Sequence, residues 1–243
     1  MEQLRLWDEL PAPCDEPPTE KVRESAHRRH HRDVFHAWML EGIEFSPEWE
    51  MPVVHRCDAH PVRLVPFSWA METGCRDFDA FVHFYEDDFR FERFWGTPRR
   101  YLPRLRSFAG VVMPDFSCAT DFPVPLKMWA AYRNQLLAAW MQHEGLTVIP
   151  SARAQPDCPW LLEGLPHGGT LAICGRALVK DVAERRRFTR DVGTTVEELR
   201  PDAIAYYGST AYGVRELLES SGAEVWVYPG AGRGHLGGGG SRG

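Results

Sequence analysis

The chain is short of positive charge: 28 Lys and Arg face 34 Asp and Glu in 243 residues, a formal net charge of −6. That balance excludes a protein that coats nucleic acid by bulk electrostatics and leaves a local basic patch as the only charge-driven route to it. No apolar run approaches the ~18 residues of a membrane span, so no membrane partner is expected. The opening MEQLRLWDELPAPCDEPP lacks the basic start and apolar stretch of a secretory signal, and a cytoplasmic protein is the expectation. Six cysteines (Cys14, Cys57, Cys75, Cys118, Cys158, Cys174) form no CxxC pair, in a chain too large to need disulfide staples, which fits a reducing compartment.

Familiar chemical signatures are missing as well. There is no GxxxxGK[ST], no GxGxxG after a strand, no HExxH and no GxSxG, so no pattern identifies a cofactor. HRCDAH holds metal-capable side chains (His55, Cys57, Asp58, His60) too closely spaced for paired zinc ligands, and reads as a polar connection rather than a metal site.

What is present is an apolar fraction of 44%, enough to bury a substantial core in one globular domain with appendages. Residues 1–20 carry four prolines among acidic residues and are expected to be a flexible arm. Residues 21–61 form an expected helical extension, with Val34, Phe35, Trp38 and Met39 at helical spacing and Gly42 as a stop. Its basic, histidine-rich front, Arg23 to Arg32, can face phosphates or simply be a solvated charge run. Residues 230–243 are a glycine-rich tail expected to be disordered; Arg-Gly segments bind single strands in some proteins, while GGGGS has the composition of a plain flexible linker.

Between them, 62–229, apolar β-rich runs alternate with helical ones. VRLVPFSW, GVVMPDFS, LTVIPSAR, TLAICGR, AIAYYGS and EVWVYPG read as strands. Helices are expected over Asp77–Asp88, near Tyr101–Phe108, from about Pro123, over Leu178–Phe188, at Thr194–Pro201 behind a capping box, and over Tyr212–Ser220. The helix from Pro123 shows Leu126, Trp129, Leu136 and Trp140 on one stripe, with Thr120 or Asp121 available as a cap. Repeated βα units imply an α/β fold with a mainly parallel sheet, either open and Rossmann-like or a partial, distorted (β/α) barrel.

In such sheets ligands settle beyond the carboxyl ends of the strands. The tips here are Ser68 with Glu72, Asp115 and Ser117, Ser151 and Arg153, Gly175 and Arg176, Tyr207 with Gly208 and Ser209, and Pro229. Turn chemistry accounts for any one of them singly. Together they offer Asp115 as acid, base or metal ligand, Arg153 and Arg133 as anion clamps, Ser117 and Ser209 as positioning hydroxyls, and Gly208 as a backbone cradle. Asp115 stands out because Asp121 already suffices as a cap. Cys118 and Cys174, near strand ends, read as small buried hydrophobes rather than nucleophiles.

The segments VVMPDFSCATDFPVPLKMWAAYRNQLLAAWMQHEGLTVIPSAR and PDAIAYYGS resemble the phage- and mobile-element-associated domain-of-unknown-function family 4417. A PDFS strand end, a W..YRN helix, a VIP strand and a YG tip recur there in this order, and the likeness covers about Val62 to Pro229. It implies a bacterial or phage origin and carriage on prophages or plasmids. It marks Asp115, Ser117, Tyr132, Arg133, Asn134 and Tyr207 as positions matching the pattern. Two functions follow as expectations: an enzyme acting on a nucleotide, nucleic acid or other phosphate-bearing ligand at the sheet edge, or a non-catalytic accessory protein of phage or plasmid replication.

Overall fold

The computed structural model describes residues 35–176 and 181–230. The expected arm over 1–20, the basic front Arg23–Arg32 and the tail beyond Gly230 lie outside the described residues. The chain divides into a unit ending at Gly42 and a unit from Ile43 onward. In the first, the described part of the expected helix is a single 3-10 turn, Ala37–Leu40.

Among the described residues the second unit holds seven short parallel strands: β1 (Leu64–Pro66), β2 (Phe81–His83), β3 (Gly110–Val112), β4 (Val148–Ile149), β5 (Thr170–Cys174), β6 (Ala203–Tyr207) and β7 (Glu224–Tyr228). Between them lie α1 (Phe67–Ala70), α2 (Glu92–Gly96), α3 (Pro98–Leu105), α4 (Val124–His143), α5 (Val182–Leu199) and α6 (Val214–Glu219). Strands β1 to β4 form one ladder and β5 to β7 another, each in chain order. A parallel bridge from Ser151 to Ala172 joins the two, with the Ala172 N–H on the Pro150 carbonyl at 2.8 Å. β2, β3 and β4 are buried at every position, as parallel strands covered on both faces must be.

Strand order without reversal has no topological switch point, which sets this fold apart from an open doubly wound sheet. Closure is visible in side chains that meet across the interior. β2 and β6 lie four strand positions apart, about 19 Å in a flat sheet at the usual strand spacing. Yet the His83 and Tyr207 rings are 4.5 Å apart and those of Tyr85 and Tyr207 5.4 Å. One cluster unites Phe81, Val112, Ile149, Ala172, Ala205 and Tyr207, with Leu64, Trp226 and Tyr228 packed against it, so all seven strands feed a single interior. Small Ala172 and Ala205 leave room there for the large rings. The seam between β7 and β1 is spanned by the Tyr228 hydroxyl donating to the Pro61 carbonyl and by His60 stacked on Trp226 at 3.7 Å. Of the two expected architectures, this arrangement of seven strands among the described residues fits the partial or distorted (β/α) barrel, with β7 and β1 packed against each other but not paired in a ladder.

Three local expectations are corrected. The helix expected over Asp77–Asp88 is instead strand β2 and its flanking loops. The run AFVHFY is continuously buried, and periodicity alone does not separate a buried strand from a helix. The two helices expected at Leu178–Phe188 and Thr194–Pro201 are one helix, α5, running through Gly193. Its N-cap is Asp181, accepting from the Ala183 N–H at 2.6 Å. Thr195 caps nothing: its hydroxyl donates back to the Asp191 carbonyl at 2.6 Å and accepts from the Ala154 N–H at 2.7 Å. Nor does Asp121 or Thr120 cap α4, which begins after Pro123 with no side-chain cap. Proline's fixed φ replaces the cap at this end.

α4 is buried at eight consecutive residues, Asn134 to Met141. A helix enclosed on all sides has to satisfy its polar side chains internally, and this is how it reaches the site.

Candidate active site at the mouth of the barrel

A cavity of about 530 Å³ opens at the carboxyl ends of the strands. Its wall draws Tyr85 to Asp87 from β2, Asp115 to Ala119 without Phe116 from β3, Ser151 to Arg153 from β4, and Cys174 with Arg176 from β5. Asn134 and Gln135 of α4 close one side.

Asp115 is half-buried and makes no hydrogen bond or ion pair among the described residues. Its position follows from the sequence: β3 stops at Pro114, whose ring cannot continue a ladder, and the next side chain turns to the cavity. The backbone beyond it is gripped by α4. Asn134 Oδ1 accepts the Phe116 N–H at 2.8 Å, and its Nδ2 donates to the Phe116 carbonyl at 3.2 Å. Burial pushes the Asp115 carboxyl up to about 6; the Arg153 charge opposes this and the Asp88 carboxylate adds to it.

Arg153 stands at the tip of β4, its guanidinium 5.8 Å from the Phe188 ring and without an ion pair among the described residues. Arg176, at the tip of β5, reaches across the mouth to donate to the Tyr85 carbonyl at 3.0 Å and lies 3.9 Å from Asp87. Ser117 donates its hydroxyl to Asp88 at 2.9 Å, and its N–H also faces that carboxylate. Deeper in, the Tyr85 and Ser151 hydroxyls share a hydrogen bond of 2.8 Å. Burial raises the Tyr85 phenol well above its ordinary range, so it stays protonated. His83 lies below: burial and then Arg176 depress it to about 3, and its Nδ1 accepts the Tyr85 N–H at 3.1 Å, which fixes the neutral Nε2–H tautomer.

Of the residues expected at the site, Asp115, Ser117, Asn134 and Arg153 line this cavity. Arg133, Tyr207, Gly208 and Ser209 do not. Arg133 turns away, its guanidinium 3.8 Å from the Phe116 ring centroid and its Nη1 donating to the Glu92 carboxylate, with both oxygens at 3.0 Å. Tyr132 packs in a separate cluster beside Met51 and Trp160. Tyr207 lies in the barrel interior against Tyr85. Gly208, at φ 145°, lets the β6 tip press on β5, where a Cβ would come within 2.9 Å of the Gly175 carbonyl carbon. Ser209 is used locally, accepting from the Ala211 N–H at 3.2 Å. Burial pushes the Cys118 and Cys174 thiols to about 12, which keeps them protonated and weakly nucleophilic.

Tyr85 and Glu86 escaped the sequence reading because their strand read as a helix. Arg176 and Ser151 were visible as tips, but their partner Tyr85, at the β2 tip on the far side of β3, was not.

The family model described as "Domain of unknown function (DUF4417)" matches residues 43–221, beginning earlier than the resemblance in the sequence and ending before β7. The "Gene 1 protein" of Mycobacterium phage L5 is 31% identical over 193 residues, covering 77% of this chain and 81% of that protein. The "Gene 1 protein" of Mycobacterium phage D29 is 30% identical over 176 residues, 69% of this chain and 63% of that protein. No solved structure matches. No helix among the described residues is long and apolar enough to cross a membrane, and none of their side chains form a group of three or more metal ligands.

Proposed function

The chain belongs to the DUF4417 family, which has relatives encoded by phages, and from that premise we propose that the barrel mouth is the working site of an enzyme on a phosphate-bearing ligand of nucleotide size. The observation that carries this reading is Asp115: a half-buried carboxyl without a protein hydrogen bond among the described residues, held near 6, on the same cavity as two arginines. A structural carboxylate at a strand tip is ordinarily hydrogen-bonded to a cap or turn. One held apart from such partners, with a pKa near neutrality, suits proton transfer.

Arg153 and Arg176 supply the anion clamp, since planar guanidinium groups match phosphate oxygens in pairs. A volume of about 530 Å³ suits a mononucleotide and is small for a folded polymer. At pH 7 Asp115 is mostly ionised and acts as the base; Ser117 and the Tyr85–Ser151 hydroxyl pair provide neutral hydrogen bonds for positioning.

The test is calorimetric titration with nucleoside 5′-monophosphates, followed by mass spectrometry of the incubated ligand. Arg153→Ala with Arg176→Ala is expected to abolish binding. Asp115→Asn keeps the shape while removing the charge, and is expected to keep affinity and lose conversion. If the double arginine variant binds as the wild type does, the site is wrong. If Asp115→Asn converts ligand normally, or the wild type converts none, the edge serves a non-catalytic binding protein instead.

A further inference from the structure

Three large side chains stand out in solvent beyond the carboxyl ends of three different strands, Trp69 in α1, Phe89 in a 3-10 turn and Tyr212 in a loop. Phe89, 75% exposed, follows β2; Tyr212, 67% exposed, follows β6; Trp69, 41% exposed, follows β1. Rings of this size are normally covered, and these three share one end of the barrel. Two of them carry an arginine. The Arg90 guanidinium lies 5.5 Å from the Phe89 ring centroid, and that of Arg185 lies 4.3 Å from Tyr212.

Tyr212 is also held at φ 61°, a left-handed conformation that a bulky residue adopts only at a cost. No burial of its ring offsets that cost. Phe89 and Tyr212 belong to loops on opposite sides of the mouth, because the strands beneath them meet ring to ring through Tyr85 and Tyr207. Neither ring lines the cavity with Asp115, Arg153 and Arg176: Phe89 follows the wall residue Asp87 by two positions and Tyr212 lies beyond the tip of β6, so both stand outside it, where flanking nucleotides rather than the bound one would reach. Trp69 joins the Phe89 side, since the neighbouring Ser68 bonds Glu86 through both its N–H, at 2.8 Å, and its hydroxyl.

We infer that the ligand is presented as a single-stranded nucleic acid: one nucleotide enters the cavity while neighbouring bases stack on Phe89 and Tyr212. This rests on the reading of the cavity as a nucleotide site and names its substrate class. A ring with a guanidinium against it offers a base an apolar face and its phosphate a cation, the pairing that binds single strands without base-specific contacts. A duplex keeps both faces of its bases stacked and cannot use the rings. Three acidic side chains near the rim, apart from Asp115, are engaged: Glu86 accepts from Ser68, Asp88 from Ser117, and Asp87 faces Arg176. With a net charge of −6, stacking rather than bulk charge drives the association. The logarithmic salt slope is then no steeper than about −3, the contribution of the four arginines named here at most.

The experiment is fluorescence anisotropy of the full chain with labelled 12-residue oligothymidylate or oligouridylate, with the corresponding duplex and dTMP as comparisons. One of the single strands is expected to bind at least tenfold more tightly than dTMP, and the duplex weakly. Phe89→Ala and Tyr212→Ala are each expected to weaken the strand about tenfold or more while leaving dTMP affinity unchanged, and Phe89→Trp to retain it. Both side chains are exposed, so these variants fold. If dTMP binds and the strands gain nothing over it, or if both alanine variants bind the strand within twofold of wild type, this inference is overturned and the nucleotide site stands. If neither dTMP nor either strand binds, both fall.

Discussion

Asn134 holds both backbone groups of Phe116, accepting its N–H at 2.8 Å and donating to its carbonyl at 3.2 Å. The side-chain amide thus replaces the ladder that β3 gives up at Pro114, and the residue it steadies is the neighbour of Asp115. An asparagine in a helix buried on all sides is costly unless both its functions are used, and here both are.

Removing that amide should be felt twice. Asn134→Ala leaves two buried backbone groups unpaired and is expected to lower stability by about 2–4 kcal/mol. In the same variant the freed loop admits water to Asp115, and its pKa should fall from about 6 toward the ordinary carboxylate range, as read by carbon NMR of the labelled side chain. An unchanged pKa in a folded variant would show that the clamp does not set the acidity.

Asp115 makes stability pH-dependent with a definite sign. Its folded pKa, about 6, lies above the ordinary 3.8, so the folded state binds the proton more tightly. Its contribution is therefore fully present below about pH 3.8 and is lost as pH rises through about 6. Asp115→Asn should be more stable than the parent by about 1–3 kcal/mol at pH 7, with the difference shrinking as pH falls. Urea denaturation at pH 5 and pH 7 checks this; a larger difference at pH 5 would contradict it.

Arg133 should matter to stability rather than to ligand. Its guanidinium lies over the Phe116 ring at 3.8 Å while its Nη1 donates to the Glu92 carboxylate. Arg133→Ala is expected to cost about 2 kcal/mol, with Arg133→Lys recovering less than half, because an ammonium that reaches Glu92 has no planar group left to lie over the Phe116 ring. Thermal melts of the two variants supply the comparison.

Gly110 opens β3 directly under the Phe81 ring, which a Cβ would overlap. Gly110→Ala is expected to lower stability by about 2–3 kcal/mol through that overlap. Adding Phe81→Leu should recover part of the loss, since a smaller side chain leaves room for the methyl. Failure of the double variant to improve on the single one in denaturant titration would place the cost elsewhere.

Much of the barrel was legible in the chain because each strand is a local event. VVM, TVI and AIAYY are apolar runs closed by proline or glycine, and a buried parallel strand reads that way wherever it sits. Asp115 was legible for the same reason, as the first polar side chain after such a run. AFVHFY misled because a fully buried strand has no alternation to distinguish it from a buried helix. Thr194 and Thr195 misled because a capping box describes a local option, which a continuous helix overrides by giving the Thr195 hydroxyl to Asp191 and Ala154.

The sequence by itself determined six of the seven strands, their order and the side chains carried at their ends, since these depend on neighbours a few residues apart. Only the tertiary structure decided that the sheet closes, that Tyr85 meets Tyr207, and that Arg176 crosses to the β2 tip beside Asp115. Those contacts join residues about 90 or more positions apart, and they depend on how strands twist and pack against one another, which no local pattern encodes. Asn134 lies between the two cases: its place on the helix was plain, but its partner became visible only once that helix was buried on every side.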